Sequence, residues 1–219
     1  MQESVGTITD AEYSTSIVPR SRCDRSFFSV DCQTLAKRLL GSTLARKLST
    51  GVVCRARIVE TEAYLGGEDK AAHSYNGKKT ERNTAMFMQP GTAYVYSIYG
   101  MHCCFNISSD GAGAAVLIRA LEPLEGMDFM KERRKAAKRD RDLCSGPAKL
   151  CQAMGIDKAC NKADLVSCDT LWVEPRDEAT PLNDADIVES TRIGVEYAEE
   201  WAKKPLRFYI KGNPCVSKK

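Results

Sequence analysis

Three side chains that can do acid–base chemistry alternate along one stretch of the chain: Glu60, Glu62 and Tyr64. The β-branched residues around them predict a strand over 52–64, on which alternate side chains share a face. Two carboxylates and a phenol should therefore converge. Such a cluster suits oxygen ligation of a divalent metal, division of work between an acid and a base, or the holding of one water for attack. An exposed polar strand face is the alternative that involves no chemistry.

More polar and aromatic groups surround this strand in the sequence. The stretch 66–82 is glycine-rich and polar, and it predicts a long loop of the kind that often carries function. It brings Glu68, Asp69 and His73 close to the end of the strand. A set of four tyrosines, Tyr64, Tyr94, Tyr96 and Tyr99, is typical of a surface on which nucleic-acid bases stack, although strand tyrosines also fill ordinary cores.

The elements that must position these groups can be read from hydrophobic periodicity. Asp31 is a candidate N-cap for a helix that ends at Gly41. Strands are predicted at 43–47, 52–64, 92–99, 102–108, 114–121 and 206–211, and helices at 124–139, 146–154 and 186–203. This order predicts an α+β fold: a single mixed domain with a curved, largely antiparallel sheet, surrounding helices and a protruding hairpin with Tyr99 and Met101 at its tip. We expect a mobile extension over 1–25 and a catalytic domain over 26–219.

Composition excludes several classes of protein. The 219 residues carry a net charge of only +3, so any binding of nucleic acid must rely on local patches such as the basic run 131–141. No segment approaches the roughly 20 apolar residues of a membrane helix, and 1–20 does not resemble a secretory signal. The ten cysteines are therefore expected to be free thiols in a reducing compartment. A zinc site built from Cys144, Cys151, Cys160 and Cys168 is disfavoured, because six to eight residues separate neighbouring cysteines.

Seven separated segments resemble the alkyladenine (methylpurine) DNA glycosylase family, in the same order over 27–216. They are VETEAYLG at 59–66, AAHS at 71–74, MFM at 86–88, YVYSIYGM at 94–101, NISS at 106–109, LIRALEP at 117–123 and LCSGPAKLCQA at 143–153. The resemblance implies a monofunctional enzyme that flips alkylated or deaminated purines, of the 3-methyladenine, 7-methylguanine, hypoxanthine and ethenoadenine type, out of duplex DNA and hydrolyses the N-glycosidic bond.

The same resemblance implies the catalytic groups. Glu62 would be the general base that activates water, assisted by Arg119 and by the backbone carbonyl of Ile193. A purine alkylated on a ring nitrogen is a good leaving group, and a carboxylate near the developing oxocarbenium ion both stabilises charge and guides water. We expect Arg119 to keep Glu62 ionised, because an adjacent cation lowers the pKa of a carboxylate. No lysine is needed as a nucleophile, so no strand cleavage is expected.

The remaining residues implied by the resemblance bind the base and the duplex. Tyr64 and Tyr96 would sandwich the flipped base. His73 would contact its edge, Asn106 would exclude the exocyclic amine of guanine, and Leu117 would line the same region. Tyr99, with Met101 beside it, would fill the gap left in the duplex. Phosphate contacts are expected from Lys78, Thr80, Arg82, Ser145, Gly146 and Lys149.

These expectations include no cofactor and no metal, a monomer, and double-stranded DNA containing damaged purines as the partner. The expected location is the nucleus, or the cytoplasm if the source is bacterial. Two other functions stay open from the residues alone. One is a catalytically silent module of the same fold that binds damaged DNA. The other is a metal-dependent nuclease, which a chelator would inhibit.

Overall fold

A computed structural model describes residues 21–177, 179 and 181–218. Over this part of the chain an eight-stranded antiparallel sheet forms the centre of the fold, and the predicted α+β class is confirmed. The strands are β1 (Thr43–Lys47), β2 (Val53–Tyr64), β3 (Ala93–Ile98), β4 (His102–Ser108), β5 (Ala115–Glu125), β6 (Leu171–Glu174), β7 (Ile187–Ser190) and β8 (Arg207–Ile210). Their order is β3-β4-β5-β2-β1-β6, with β8 beside β2 and β7 beside β8.

Four α-helices accompany the sheet in the described residues: α1 (Arg25–Phe28), α2 (Cys32–Leu39), α3 (Met127–Arg133) and α4 (Pro147–Met154). Asp31 caps α2 by accepting hydrogen bonds from the backbone of Gln33 and Thr34, as the sequence predicts. Pro147 occupies the first turn of α4, where its missing N–H costs nothing. The sequence therefore predicts both helices correctly from their ends.

Two predicted helices differ from the structure. The helix predicted at 124–139 is shorter, because β5 continues to Glu125, which pairs with Arg55, and Gly126 at φ +75° separates this strand from α3. The helix predicted at 186–203 is wrong. Its first part is β7, which pairs with β8, and its last part is a 3₁₀ helix over Glu196–Lys203 with a break inside it. Neither β6 nor β7 is among the predicted strands.

A large apolar cluster fills the space between the sheet and the helices. It includes Leu35 and Leu39 of α2, Phe105 of β4, Ile118 of β5 and Phe208 of β8, all fully buried. Burial of each such side chain contributes roughly 1.5–3 kcal/mol. This packing gives β2, β4 and β5 a rigid base from which side chains of the opposite face can be positioned accurately.

Residues 23 and 25, which belong to the predicted extension over 1–25, contact the rest of the fold. Cys23 is buried, and its N–H donates to the carbonyl of Val173. Arg25 forms an ion pair of 2.6 Å with Asp164. Residues 1–20 of the predicted mobile extension lie outside the described residues. None of the helices in the described ranges has the length and apolar character needed to cross a membrane.

Candidate active site

A cavity of about 250 Å³ opens where β2, β3, β4 and β5 meet the loop that follows β7. Seven residues singled out from the sequence line it: Tyr64, His73, Tyr96, Asn106, Leu117, Arg119 and Ile193. The structure therefore brings together side chains that are up to 129 positions apart in the chain, from Tyr64 to Ile193. Further lining residues include Met86, Tyr94, Cys104, Pro147 and Tyr197.

Glu62 is fully buried and lies behind the cavity wall rather than among the lining residues. Its Oε1 accepts a hydrogen bond of 2.7 Å from the backbone N–H of Ile193. Its Oε2 accepts one of 2.9 Å from the hydroxyl of Tyr64 and one of 3.1 Å from the guanidinium of Arg119. All three donor residues line the cavity, so the carboxylate is fixed directly against it.

The peptide of Ile193 also contacts Glu62 directly, because its amide N–H donates a hydrogen bond to this carboxylate. The role that the resemblance implied for the Ile193 carbonyl concerns the attacking water and stays a prediction. A carboxylate can only accept hydrogen bonds, so the peptide must present its N–H side to Oε1. This hydrogen bond stabilises the ionised form of Glu62, a contribution that the sequence did not predict.

Burial raises the pKa of Glu62 above that of an ordinary glutamate. Arg119, the Ile193 N–H and the Tyr64 hydroxyl each lower the pKa, but they do not offset the cost of removing the carboxylate from water. The expectation that Arg119 favours the ionised form is right in direction and incomplete, because the net shift is upward. A carboxylate with a raised pKa holds a proton more strongly, as a general base must.

The pairing of β2 with β5 is irregular at Glu60 and regular at Glu62 and Tyr64. The register between β2 and β5 shifts on both sides of Glu60, while Glu62 and Tyr64 lie opposite Leu117 and Ala115 in regular pairing. The predicted sharing of one face by Glu62 and Tyr64 is confirmed by their hydrogen bond. Glu60 is also fully buried, but it lies outside the cavity lining and binds Arg207.

An aromatic wall forms one side of the cavity. The His73 and Tyr96 rings meet edge to face with centroids 4.7 Å apart, and Tyr94 lies 5.2 Å from Tyr96. The Nδ1 of His73 shares a hydrogen bond of 2.9 Å with the hydroxyl of Tyr94. His73 as a whole is exposed, but partial burial of its ring and the nearby Arg82 lower the pKa of His73, which favours the neutral form. Tyr94 was in the predicted aromatic set but not among the predicted site residues.

Asn106 is held in one orientation in this wall. Its Nδ2 donates a hydrogen bond of 3.0 Å to the carbonyl of Tyr94. This bond fixes the orientation of the side-chain amide beside the cavity. The side chain is buried, with 5% of its surface exposed, and Leu117 beside it in the β4–β5 pairing is equally buried. The two residues thus form a floor of fixed shape.

The hairpin between β3 and β4 protrudes with two large side chains at its tip. Tyr99 is 91% exposed and Met101 is 80% exposed. Tyr99 has φ +50° and Gly100 has φ +72°, and the N–H of Met101 donates to the carbonyl of Ile98. Two successive residues at positive φ are typical of the tight turns that suit hairpins, but a tyrosine there is strained. The predicted exposure of an apolar tip is confirmed.

The residues expected to contact phosphate lie in two places. Lys78, Thr80 and Arg82 are exposed on the loop that follows β2, where Asn83 accepts hydrogen bonds from both the backbone and the hydroxyl of Thr80. Arg82 also lies over the Tyr96 ring, with its guanidinium carbon 5.3 Å from the ring centre.

The second place is the start of α4. Gly146 is the N-cap of this helix, Ser145 precedes it, and Lys149 is exposed in its first turn. Pro147, the next residue, lines the cavity. The free backbone N–H groups at this helix end therefore lie next to the cavity mouth.

Sequence reasoning missed a buried ion pair that organises the site. Arg192 donates to both carboxylate oxygens of Asp69, at 2.6 and 2.8 Å, and both side chains are fully buried. Arg192 also lies over the Tyr64 ring, 4.6 Å from its centre, and directly precedes Ile193. Asp69 in turn accepts from the backbone of Leu65 and Ala71. Asp69 was noted in the loop, but no sequence signal connected it to Arg192.

The described residues hold no group of three or more histidine, cysteine or acidic side chains arranged to bind a metal ion. All ten cysteines are free thiols. Burial raises the pKa of Cys144 to about 12, which keeps that thiol protonated and unsuited to metal ligation without a partner.

The fold and the site fit one class of protein. The family model described as "Methylpurine-DNA glycosylase (MPG)" matches residues 26–214, and the chain therefore belongs to this family. It is 52% identical over 206 residues to the DNA-3-methyladenine glycosylase of Mus musculus and 51% identical over 205 residues to that of Homo sapiens. These alignments cover 90% of this chain, 61% of the mouse protein and 68% of the human protein.

A bacterial relative is covered completely. The chain is 44% identical over 207 residues to the putative 3-methyladenine DNA glycosylase of Clostridium perfringens (strain SM101 / Type A), an alignment that spans 90% of this chain and 100% of that protein. The chain thus spans about three fifths of the length of the mouse relative and the whole length of the bacterial one.

Proposed function

We propose that this protein is a monofunctional DNA repair glycosylase. It extrudes an alkylated or deaminated purine from duplex DNA and hydrolyses its N-glycosidic bond with a water activated by Glu62, leaving an abasic site. The observation that carries this proposal is the buried carboxylate of Glu62, held by three donors that all line one cavity.

The shape and lining of the cavity support a purine as its occupant. Tyr64 and Tyr96 supply aromatic faces, and alkylated purines are electron-poor rings that stack well on electron-rich phenols. Asn106 is buried and fixed by its hydrogen bond to the Tyr94 carbonyl, which supports a steric role in excluding the exocyclic amine of guanine. The lowered pKa of His73 favours the neutral ring, which can contact the base edge without a charge that would repel a cationic lesion.

The electrostatics around Glu62 support the chemistry. An alkylated purine leaves readily, and the sugar acquires positive charge that an adjacent carboxylate stabilises. The raised pKa of Glu62 makes it an effective acceptor of the proton from water, while Arg119 and the Ile193 N–H fix its orientation. None of the described residues that line the cavity is a lysine, which supports hydrolysis by water rather than Schiff-base chemistry with strand cleavage.

The surface beside the cavity supports binding to a duplex. The exposed ring of Tyr99, with Met101 beside it, is of the kind that wedges into the minor groove and offsets the few kcal/mol that base extrusion costs. Lys78, Arg82 and Lys149 provide cations for phosphates near the cavity mouth. We propose that the protein acts as a monomer, in the nucleus of a eukaryotic cell or in the cytoplasm of a bacterium.

The test is an assay of purified protein on duplexes that each carry one hypoxanthine, ethenoadenine or 7-methylguanine, in the presence of a chelator. We expect release of the free base and an abasic site that breaks only on treatment with alkali. Tight binding without release of any base would favour the catalytically silent module instead. Strand cleavage that the chelator abolishes would favour a metal-dependent nuclease.

A further inference from the structure

A second buried carboxylate, that of Glu60, contacts a different nitrogen of Arg119 from the one that binds Glu62. The Oε1 of Glu60 is 3.4 Å from the Nε of Arg119, while the terminal nitrogen of the same guanidinium binds Glu62 at 3.1 Å. The Nε atom is buried and has no hydrogen-bond partner among the described residues. Within the described residues, the ion-pair contact of this atom is the one with Glu60.

Glu60 itself is held by two other parts of the chain. Its Oε1 accepts a hydrogen bond of 2.8 Å from Arg207 on β8, and its Oε2 accepts one of 2.7 Å from the backbone N–H of Ser217. Arg207 also donates to the carbonyl of Lys218. The segment 217–218 thus binds both members of the Glu60–Arg207 pair behind the active site.

The charge of Arg119 is divided between the two carboxylates. Burial lowers the pKa of this guanidinium, but Glu62 and then Glu60 raise it, and the net shift is upward. A cation that is shared in this way stabilises each carboxylate less than it would stabilise one alone. The irregular register of β2 at Glu60 is the local feature that brings the second carboxylate within reach.

We propose that Glu60 is a positioning residue of this site: it holds Arg119 beside Glu62 and takes a share of its charge, and the backbone of 217–218 holds Glu60 in turn. This inference rests on the proposed function, because it assigns the role of base to Glu62. Glu60 does not line the cavity and does not touch the reacting atoms.

The expected consequence is a change in the proton affinity of Glu62. The charged and titratable groups around this carboxylate come from five elements: Glu60 and Tyr64 of β2, Arg119 of β5, Cys104 of β4, Arg207 of β8 and Arg192 of the loop after β7. Replacing Glu60 by glutamine removes a like charge and leaves Arg119 to Glu62 alone, so the pKa of Glu62 should fall.

The experiment measures the titration of Glu62 by carbon NMR of protein labelled at the glutamate side-chain carboxyl, with the signal assigned by its loss in Glu62→Gln. In Glu60→Gln the pKa of Glu62 should fall. An amide oxygen at position 60 can still accept from the Nε of Arg119, so the variant changes the sharing of charge more than the position of Arg119. Under single-turnover conditions the rate of hypoxanthine release should also fall, on the order of tenfold, because the base is weaker.

Glu122→Gln is the matched control. Glu122 lies on β5, as Arg119 does. It pairs with Arg57 and accepts a hydrogen bond from Asn213 of the C-terminal segment, and no ion pair joins it to Arg119 among the described residues. Both readouts should match those of the wild type. Ser217→Pro is the second variant: it keeps Glu60, the full chain and its charge but removes the Ser217 N–H donor, so Glu60 should compete more strongly for Arg119 and the pKa of Glu62 should rise.

The outcomes are decisive. An unchanged titration of Glu62 in Glu60→Gln, or the same change in Glu122→Gln, overturns the inference. If Glu60→Gln does not fold, as judged by circular dichroism, Ser217→Pro decides: a rise in the pKa of Glu62 supports the inference and no change overturns it. Because the titration needs no substrate, a wild-type protein that releases no base would refute the proposed function without affecting this readout.

Discussion

The backbone N–H of Ile193 donates to the Oε1 of Glu62 at 2.7 Å across 131 positions of sequence. The loop that carries Ile193 is fixed by its neighbour Arg192, which is buried against Asp69 and lies over the ring of Tyr64. Arg192 therefore positions both the Ile193 N–H, which donates to Glu62, and the ring of Tyr64, which lines the cavity. The orientation of the proposed base depends on this loop as much as on its own strand.

Replacement of Glu62 by glutamine should abolish base release while leaving the binding of damaged DNA largely intact. The amide can still accept the Ile193 N–H, but it cannot deprotonate water, so the single-turnover rate should fall about 10²- to 10⁴-fold. Rates on hypoxanthine and binding curves would measure this. Glu68→Gln, which changes an exposed glutamate of the following loop, is the control. Near-normal turnover of Glu62→Gln would refute the assignment.

The pH dependence of base release should reflect the raised pKa of Glu62. Burial outweighs the donors around this carboxylate, so it takes up a proton at higher pH than an exposed glutamate, whose pKa is 4.5. The rate should therefore decline, by about tenfold per pH unit, once the pH falls below that raised value. Single-turnover rates across the acid range would measure the decline. A rate that stays flat to below pH 4.5 would contradict the raised pKa.

Local pattern predicted most of the fold because most of the sheet is built from neighbours in sequence. The hairpin of β1 and β2 and the meander of β3, β4 and β5 have clear alternation and short turns. The failure at 186–203 has a physical reason. Ile187 and Val188 become a strand only because they pair with Ile210 and Tyr209 of β8, and no local pattern reveals a partner of that kind.

For the site as well, the sequence predicted the contacts within one strand and missed contacts between distant parts of the chain. Alternation on a strand placed Glu62 and Tyr64 together, and resemblance added Arg119 and Ile193. The Asp69–Arg192 pair was missed, because two ionic residues 123 apart carry no signal of contact in one sequence. The upward pKa shift of Glu62 was missed for a related reason: burial is a property of the whole fold, whereas the neighbouring cation was visible in the motif.

Replacement of Asp69 by asparagine should destabilise the protein and weaken catalysis together. It leaves the buried guanidinium of Arg192 without its counter-ion, a change that costs about 3–5 kcal/mol in comparable pairs. Denaturant unfolding and single-turnover rates would measure both effects. Glu199→Gln is the matched control, because it breaks an exposed ion pair of 2.6 Å with Lys70 that solvent screens and that should contribute little to stability. Equal losses in the two variants would contradict the role given to Arg192.

Replacement of Asn106 by alanine should relax the rejection of guanine-type bases. The side chain is buried and fixed by its bond to the Tyr94 carbonyl, so its removal opens space at the cavity floor. The rate on 7-methylguanine relative to hypoxanthine should rise on the order of tenfold. Asn161→Ala is the control, since Asn161 also binds the backbone of β3, at Val95, but does not line the cavity. An unchanged ratio in Asn106→Ala would place the discrimination elsewhere.

Two substitutions at the strained tip residue Tyr99 should separate its effect on the stability of the protein from its effect on base flipping. At φ +50° a tyrosine costs about 1–2 kcal/mol that a glycine does not, so Tyr99→Gly should be more stable than Tyr99→Ser, which keeps the strain. Both variants lack the exposed ring and should show an equally weak fluorescence change with ethenoadenine DNA, because less of the base is flipped. Thermal unfolding and fluorescence titration would measure the two effects. A normal fluorescence change in either variant would mean that the wedge lies elsewhere.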